Sequence, residues 1–379
     1  MTASYNREAR RRVLKACTQI VVKVGTRLLT DPARIPALVA QIARIRERGH
    51  KVLLVSSGAV GTGMKAMKLS RRPSKLSEVQ ALASIGQNRL MALYDKECAK
   101  LGFHSAQMLL TAADLRDRER HLNVSNCISS LWAMDVLPIA NENDSVSVDE
   151  LKFGDNDTLA GLLAVMTRSS LTVILTSVDG LRERAPDGSL GERISVVSNI
   201  SDEMRKSASG TDDSAMSVGG MSSKLAAAQI ITSAGESLWI AEGQAPDTLD
   251  RIMQGEDIGT VFLPAERQME SKKRWLSFFS QSAGRIMVDK GAMHALGRKG
   301  RSLLPSGITG IEGSFKRGDT VEITGPEGEL IAKGLVNFSA SDCRKIAGRQ
   351  SSELSSILGC PSDDEVVHRN NLALLRRGA

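Results

Sequence analysis

Up to about residue 265, the chain alternates short apolar runs rich in β-branched residues with longer amphipathic stretches. The runs predicted as strands are Gln19–Val24, Lys51–Ser56, Val136–Asn141, Leu171–Thr176 and Ser237–Glu242. The stretches predicted as helices are Ile35–Glu47, Glu78–Lys100, Arg118–Met134, Thr158–Met166 and Ser223–Ser233. Strands that are apolar along their whole length and separated by helices are typical of a parallel sheet covered on both faces. The pattern therefore predicts a three-layer α/β domain over residues 1–265.

The pattern changes after Pro264. Residues 266–283, which include the charged stretch ERQMESKKRWLSFF, are predicted to be a linker. From Gly284 the chain has short strand-like pieces broken by glycines, such as GRIMVDKGA and RGDTVEITGPEGELIAKGLVNFSA. Turn signals at this spacing indicate a small, mostly β module over residues 284–379, with a final helix around Ser352–Leu358.

Small and polar residues follow the predicted strands of the first domain. Lys23 lies near the end of the first strand, and the second strand runs into SSGAVGTGM, which contains Ser57 and Gly58. The third strand is followed by NENDS, and the fourth by TSVDGL, which begins with Thr176 and Ser177. In open α/β sheets, ligands bind beyond the carboxyl ends of the strands, where helix N-termini point inward. These residues therefore predict a binding site at one edge of the sheet.

A second loop of small residues, SVGGMSSKLAAAQI, leads into a predicted helix with Lys224 near its start. Backbone N–H groups in such loops hold phosphate or carboxylate oxygens, although a purely structural turn is the alternative. A lysine at the start of a helix opposes the preference of the helix dipole. Its position therefore favours a role in neutralising a bound anion.

Two clusters of Asn and Asp, Asn141–Asp144 and Asp155–Asp157, lie on either side of a polar loop that carries Lys152. Helix capping explains one residue of the second cluster, and the order of ligands in a calcium loop is not matched. The P-loop, the dinucleotide fingerprint and the H-E-x-x-H motif are all missing from the sequence. Lysines, glycine loops and clustered carboxylates and amides favour phosphoryl transfer to a small anionic acceptor. A carboxylate acceptor is already ionised at neutral pH, so a catalytic histidine is not expected.

Composition adds three constraints. The chain has 379 residues and a formal net charge of +7, which suits an anionic substrate, a nucleic acid or an ordinary solvated surface. The basic clusters are Arg7–Lys15, Lys272–Arg274, Arg298–Arg301 and Arg344–Arg349. The five cysteines form no C-x-x-C pair, so they are expected to be small core residues in a reducing compartment. No apolar run approaches the ~20 residues of a membrane span, and the N-terminus lacks the apolar core of a secretory signal. We therefore expect a cytoplasmic protein without a membrane partner.

Several motifs, in their order and spacing, resemble the glutamate 5-kinase family. They are VVKVGTRLLT, LLVSSGAVGTGM, QALASIGQNRLMALY, LPIANENDSV, FGDNDTLAGLLA, LTSVDGL and GGMSSKLAAAQIITSAG. The tail, with GRSLLPSGI, FKRGDTVEI and SDCRKIAG, resembles a PUA domain. The resemblance implies the amino acid kinase fold and the use of ATP and Mg²⁺ to phosphorylate the γ-carboxylate of L-glutamate. The product would be L-glutamyl 5-phosphate, the first intermediate of proline biosynthesis.

The same resemblance implies roles for individual residues. Lys23 and Lys224 would stabilise the migrating phosphoryl group, and Asp157 would orient them. The glutamate-binding positions would be Ser57, Gly58, Asp144, Lys152 and Asn156. The ATP-binding positions would be Lys23, Thr176, Ser177, Val218, Gly219, Gly220, Met221, Ser222, Ser223 and Lys224. Ser177 and Val218 depart from the family, which often has Asp and Thr at these positions.

Asp144 bears on substrate choice. Its carboxylate can pair with the free α-ammonium group of glutamate, a contact that an N-acylated acid could not make. Two other functions stay open at this stage. One is a different amino acid kinase, acting on aspartate, carbamate or an N-acylated acid. The other is RNA binding by the PUA-like module, which has few aromatic side chains for stacking, Phe315 and Phe338 among them. The family resemblance also implies proline as a feedback inhibitor and assembly into dimers or tetramers.

Overall fold

The computed structural model describes residues 3–29, 33–146, 156–184, 189–208, 220–265, 271–359 and 363–375. The chain groups into two compact units, residues 1–115 with 119–268, and residues 116–118 with 269–379.

Ten strands lie in the described part of the chain before residue 266. They are β1 (Gln19–Val24), β2 (Lys51–Val55), β3 (Ser105–Leu110), β4 (Leu137–Glu142), β5 (Leu171–Thr176), β6 (Arg182–Arg184), β7 (Leu190–Arg193), β8 (Val196–Val197), β9 (Ser237–Glu242) and β10 (Thr260–Phe262). Eight of them form one sheet in the order β3-β4-β2-β1-β5-β9-β10-β8, while β6 and β7 pair with each other as a hairpin. The first six strands of the sheet are parallel, and β10 is antiparallel to β9.

Helices cover both faces of this sheet. In chain order they are α1 (Ala3–Lys15), α2 (Thr26–Leu29), α3 (Arg34–Glu47), α4 (Ala59–Ala66), α5 (Leu76–Lys100), α6 (Ala112–Arg116), α7 (Arg118–Ala133), α8 (Asn156–Thr167), α9 (Asp202–Ala208), α10 (Met221–Ser233) and α11 (Thr248–Met253). Alternate residues of β1, such as Ile20 and Val22, share one core with side chains of α3 and α5. On the other face, α8 packs against β1 and α10 packs against β9. The predicted three-layer, mainly parallel α/β architecture is therefore confirmed.

The predicted elements match the observed ones closely where apolar periodicity is strong. The bounds of β1, β5 and β9 are those predicted, and β2 and β4 differ by one residue. The sequence pattern did not reveal α1, β3 or α4. Strand β3 is at the edge of the sheet and is only partly buried, so it lacks a continuous apolar run. Helix α4, AVGTGMKA, has eight residues, two of them glycine, so its sequence resembles a glycine-rich loop.

Helices α4 and α5 approach each other closely. A Cβ atom added to Gly86 of α5 would collide with the backbone carbonyl of Ala59 in α4. One added to Gly63 of α4 would collide with the backbone of Leu82 in α5. Neither glycine leaves space for a side chain, and together they fix how α4 lies on α5.

The second unit contains a five-stranded sheet and several short helices. Its elements are α12 (Ser271–Phe278), β11 (Gly284–Val288), α13 (Lys290–Lys299), β12 (Ile308–Gly313), β13 (Thr320–Thr324), β14 (Leu330–Leu335), α14 (Ala340–Ile346), α15 (Leu354–Leu358) and β15 (Leu372–Leu374). Single 3₁₀ turns occur at Pro305–Gly307, Ser351–Glu353 and Arg369–Asn371. The strand order is β12-β11-β13-β14-β15, with β11 and β13 parallel and the other pairs antiparallel.

The prediction of a mostly β C-terminal module is confirmed, but three helices, α12, α13 and α14, were not foreseen. Helix α13 begins after Asp289, whose carboxylate accepts a hydrogen bond from the Ala292 N–H at 2.7 Å. Part of the segment predicted as a linker forms α12, which packs against β14 and β15. The predicted last helix corresponds to the turn at Ser351–Glu353 and the helix α15 that follows it.

Most of the described cysteines are core residues, as expected from the sequence. Of the four described cysteines, Cys17, Cys98 and Cys343 are buried and Cys127 is exposed. Burial raises the pKa of Cys17 and of Cys98 to about 11, so both stay as thiols at neutral pH. No helix within the described ranges is long and apolar enough to cross a bilayer.

Candidate active site

The carboxyl edge of the parallel sheet brings distant segments together. Lys23 is the next-to-last residue of β1 and pairs in register with Val55 of β2 and Ile174 of β5. The strand β2 ends directly before Ser56, and β5 ends at Thr176. Helices α4, α8 and α10 begin near this edge, so their first turns lie beside the strand ends.

Asp157 lies between two lysines at this edge. Its Oδ1 atom is 2.6 Å from Lys23 Nζ, and its Oδ2 atom is 3.1 Å from Lys224 Nζ. The side chain of Asp157 is 0% exposed, and those of Lys23 and Lys224 are 7% and 6% exposed. One carboxylate therefore holds two ammonium groups side by side in a nearly closed environment.

The ionisation of Asp157 follows from these neighbours. Burial raises its pKa, but the charges and hydrogen bonds of Lys23 and Lys224 more than compensate and hold the pKa below the ordinary value of 3.8. The carboxylate is therefore ionised at neutral pH. It keeps both lysine head groups aimed at one region of the sheet edge.

The first turn of α10 completes this cluster. Ser223 Oγ is 3.2 Å from Asp157 Oδ2 and donates to the Gly220 carbonyl at 2.9 Å, and Lys224 Nζ is 3.4 Å from the same carbonyl. Gly220 is the N-cap residue, and no side chain caps the helix there. The N–H groups of the first turn, in Met221 and Ser222, are thus of the type that binds phosphate oxygens.

Asn156, the first residue of α8, organises a second cluster next to the first. Its Nδ2 atom, with two hydrogens, lies within hydrogen-bond distance of three acceptors: the Ser56 carbonyl at 2.8 Å, Ser57 Oγ at 2.8 Å and Asn141 Oδ1 at 2.9 Å. Ser56 and Ser57 are buried, as is Asn141. Because Asn156 and Asp157 are adjacent in the chain, the amide cluster and the lysine cluster are neighbours.

Gly58 begins α4 with a positive φ of 92°. This left-handed conformation is costly for residues with a Cβ atom and lets the chain turn sharply out of β2 into the helix. The turn places the backbone of residues 57–59 at the sheet edge.

The structure brings most of the predicted site residues to this edge, and the residues fall into two groups. Lys23, Asp157, Ser223 and Lys224 form the lysine cluster, while Ser57, Gly58 and Asn156 lie in or beside the amide cluster.

Of the remaining predicted residues, Gly220 accepts hydrogen bonds from Ser223 and Lys224 of the lysine cluster, and Met221 and Ser222 follow it in the first turn of α10. Asp144 is half-buried shortly after the end of β4, Thr176 is half-buried at the end of β5, and Ser177 is exposed. The predicted residues Lys152, Val218 and Gly219 lie outside the described part of the chain.

Two residues behind the amide cluster were not assigned a role from the sequence. Asn141 Nδ2 donates to Gln87 Oε1 at 2.9 Å, and Tyr94 OH lies 3.1 Å from Ser56 Oγ. Gln87 and Tyr94 are both on the buried face of α5, which otherwise carries apolar and small residues such as Leu90. A buried glutamine among apolar neighbours was the available signal, since buried polar groups require partners.

Known protein families match both parts of the chain. The profile of the amino acid kinase family matches residues 18–242, and that of the PUA domain matches residues 284–358. A glutamate 5-kinase from Desulfotalea psychrophila is 44% identical to this chain, over 97% of this chain and 100% of that protein. A glutamate 5-kinase from Syntrophus aciditrophicus is 41% identical, over 98% of this chain and 97% of that protein. Among solved structures, a carbamate kinase from Giardia covers 66% of this chain and 100% of its own, with a TM-score of 0.47 and 17% identity, values too low to bear on the substrate.

Proposed function

Because the chain belongs to the amino acid kinase family, and within it to the glutamate 5-kinases, we propose that it transfers the γ-phosphoryl group of ATP to the side-chain carboxylate of L-glutamate. The product is L-glutamyl 5-phosphate, the first intermediate of proline biosynthesis. The bond between the γ-phosphorus and the bridging oxygen of ATP breaks, a bond to a glutamate γ-oxygen forms, and ADP leaves.

The observation that carries this proposal is the Lys23–Asp157–Lys224 arrangement, with distances of 2.6 Å and 3.1 Å to the two carboxylate oxygens. In phosphoryl transfer, negative charge spreads over the equatorial oxygens and the leaving oxygen, so fixed cations stabilise the transition state. Asp157 orients the two ammonium groups without neutralising both. The acceptor carboxylate is ionised at neutral pH and needs no general base.

For the nucleotide, we propose that the first turn of α10 and the end of β5 form the binding surface. The first turn of α10, with Met221 and Ser222, follows the N-cap glycine Gly220, and the N–H groups at a helix start are the type that binds phosphate oxygens. Thr176 and Ser177 would lie near the nucleoside. Val218 and Gly219 complete the proposed set.

Mg²⁺ fits this donor set as a companion of the nucleotide. Among the described residues, no group of three or more His, Cys, Asp or Glu side chains is placed to hold a metal ion. Mg²⁺ commonly keeps several waters and binds substrate phosphates together with one or two carboxylates, so a full protein cage is not required. When bound, it would add positive charge to the phosphate oxygens.

For glutamate, we propose that Ser57, Gly58 and Asn156 hold the α-carbon groups, with Lys152 beside them and Asp144 on the α-ammonium group. The last contact would discriminate against N-acylated acids, which lack that charge. We also propose that residues 1–265 form the catalytic domain and 266–283 the linker to the PUA-like module of 284–379. Cytoplasmic location, inhibition by proline, assembly into dimers or tetramers and RNA binding by the module stay predictions from the sequence.

The test is hydroxamate detection of acyl phosphate with ATP, Mg²⁺ and a panel of acids comprising L-glutamate, aspartate, carbamate and N-acetylglutamate. We expect turnover with L-glutamate and little with the others. Lys224→Ala should lower kcat by about 10²- to 10³-fold, the usual effect of losing one transition-state charge contact. Lys96→Ala, a change of an exposed lysine on α5, is the control and should retain wild-type activity. Full activity of the Lys224→Ala variant would remove Lys224 from the mechanism, and a preference for another acid would overturn the proposed substrate.

A further inference from the structure

A row of buried amide groups lies behind Asn156. Asn156 Nδ2 donates to Asn141 Oδ1 at 2.9 Å, and Asn141 Nδ2 in turn donates to Gln87 Oε1 at 2.9 Å. Asn141 is 2% exposed and Gln87 is 8% exposed. The row therefore runs from the start of α8 through the end of β4 into α5, away from solvent.

Two backbone groups set the direction of these hydrogen bonds. The Glu142 N–H, which can only donate, points to Asn141 Oδ1 at 2.9 Å. The Ser56 carbonyl, which can only accept, receives Asn156 Nδ2 at 2.8 Å. Rotating either amide by half a turn would place oxygen against oxygen or N–H against N–H in a buried region, which is unfavourable. Asn156 is thus held with its nitrogen toward these acceptors and its Oδ1 atom on the opposite side.

This orientation also determines whether the Ser57 hydroxyl offers a hydrogen-bond donor to a ligand. Ser57 Oγ lies 2.8 Å from Asn156 Nδ2, which cannot accept a hydrogen bond, so the hydroxyl hydrogen of Ser57 is directed to a different partner. The cluster therefore offers an O–H donor from Ser57 next to an acceptor oxygen from Asn156. A donor beside an acceptor matches the α-carboxylate and α-ammonium groups of an unmodified amino acid.

We infer that Gln87 is a positioning residue for the amino acid substrate. By accepting the Asn141 N–H, it fixes the position of Asn141, and through it the acceptor oxygen of Asn156 that faces the α-ammonium group. The inference rests on the proposed function, in which Ser57 and Asn156 bind glutamate. Tyr94, on the same face of α5, supports the pocket at a second point through its 3.1 Å contact with Ser56 Oγ.

The test compares the kinetics of full-length wild type and Gln87→Met, which keeps the side-chain length but removes the acceptor. We expect the KM for L-glutamate to rise about tenfold, the usual scale for losing one buried hydrogen-bond partner. The KM for ATP should stay within about twofold, because the lysine cluster does not contact Gln87. Gln87→Glu keeps an acceptor oxygen, and it should restore the KM for glutamate to within about threefold of wild type.

A second measurement distinguishes a loss of the Asn156 orientation from a general structural effect of the substitution. Glutarate keeps both carboxylates of glutamate but lacks the ammonium group, so it makes no use of the Asn156 acceptor. Its inhibition constant against glutamate should change much less in Gln87→Met than the KM for glutamate does. Asn88→Met alters an exposed amide one residue further along α5 and should behave as wild type.

An unchanged KM for glutamate in Gln87→Met would overturn the inference. So would a parallel rise of the glutamate KM, the ATP KM and the glutarate inhibition constant, because that pattern marks a general structural effect. If Gln87→Met does not fold, as judged by thermal unfolding, Gln87→Asn gives the same test with an amide too short to reach Asn141. A wild-type enzyme without glutamate kinase activity would refute the proposed function and this inference with it, whereas active wild type with unaltered variants refutes the inference alone.

Discussion

Replacing Asp157 with asparagine changes one buried charge and almost no volume. Asp157 is 0% exposed and contacts Lys23 at 2.6 Å and Lys224 at 3.1 Å. In Asp157→Asn the two ammonium groups face a neutral amide, and part of that amide is an N–H donor that cannot accept from either lysine. The variant therefore removes the carboxylate that pairs with both buried ammonium groups.

The expected loss of stability can be worked from these contacts. A pair of unit charges about 4 Å apart attracts by about 4 kcal/mol at an effective dielectric constant of about 20, so two pairs give about 8 kcal/mol. Removing the carboxylate also removes its own desolvation cost, which offsets several kcal/mol. Breaking a buried pair typically costs about 3–5 kcal/mol in total, and we expect a decrease in the free energy of unfolding in that range at pH 7.

The loss should depend on pH with a definite sign. The pKa of Asp157 in the folded protein is depressed below 3.8, the value close to that of an unfolded chain. Its stabilising contribution is therefore complete above about pH 4 and disappears as the pH falls through the lower, folded-state pKa. The difference in the free energy of unfolding between wild type and Asp157→Asn should be constant from about pH 5 to pH 7 and should shrink in more acidic solution.

Urea denaturation followed by tryptophan fluorescence measures this difference, since the fully buried Trp239 reports on the larger unit. Asp179→Asn is the matched control, because Asp179 pairs with Arg182 at 2.8 Å while its side chain is 42% exposed. An exposed pair of this kind contributes about 0–1 kcal/mol. A loss below about 1 kcal/mol for Asp157→Asn, or equal losses for the two variants, would refute the idea that Asp157 stabilises the two lysines.

Two further substitutions test buried contacts in the larger unit. Thr260 is fully buried. Its hydroxyl accepts a hydrogen bond from the Leu181 N–H at 2.8 Å and donates one to the Ile194 carbonyl at 2.6 Å. Because Thr260→Val removes both hydrogen bonds, it should lower the free energy of unfolding by about 3 kcal/mol. Thr260→Ser, which keeps the hydroxyl, should lose only about 1 kcal/mol in the same urea titration, and equal losses would contradict this. Gly86→Ala should destabilise by about 2 kcal/mol or more despite the better helix propensity of alanine, since the added methyl group meets the backbone of α4. Gly161→Ala in α8 is the control and should be tolerated, because the added Cβ atom would lie 3.6 Å from its nearest neighbour. A Gly86→Ala variant as stable as wild type would show that α4 can move away from α5.

The sequence pattern was a reliable guide wherever structure depends on local periodicity. Apolar strands such as β1, β5 and β9 were predicted at their observed bounds because strands buried on both faces are apolar along their whole length. The division into two parts and the mostly β tail were predicted from the change after Pro264 to short strand-like pieces broken by glycines. The helices α4 and α13 were missed because they are short and contain glycines, which the sequence pattern presents as turn signals.

The family motifs identified the chemistry and the residues expected to perform it. Lys23, Lys224 and Asp157 were named together from the resemblance, and the structure places them in direct contact. Their catalytic roles stay proposals until the variants are assayed. Lys152, Val218 and Gly219 lie outside the described residues.

By itself, the sequence determined the layers of the fold, the kind of residues at the strand ends and the class of reaction, because these depend on local pattern and on motifs of a few residues. Only the tertiary structure decided which of those residues meet. Asp157 and Lys224 are far apart in the chain, and their contact depends on α8 and α10 beginning at the same edge of the sheet. The amide row from Gln87 to Asn156 likewise depends on the strand order, which places β4 beside β2. Such contacts arise from the packing of whole elements, and no local pattern in the chain encodes them.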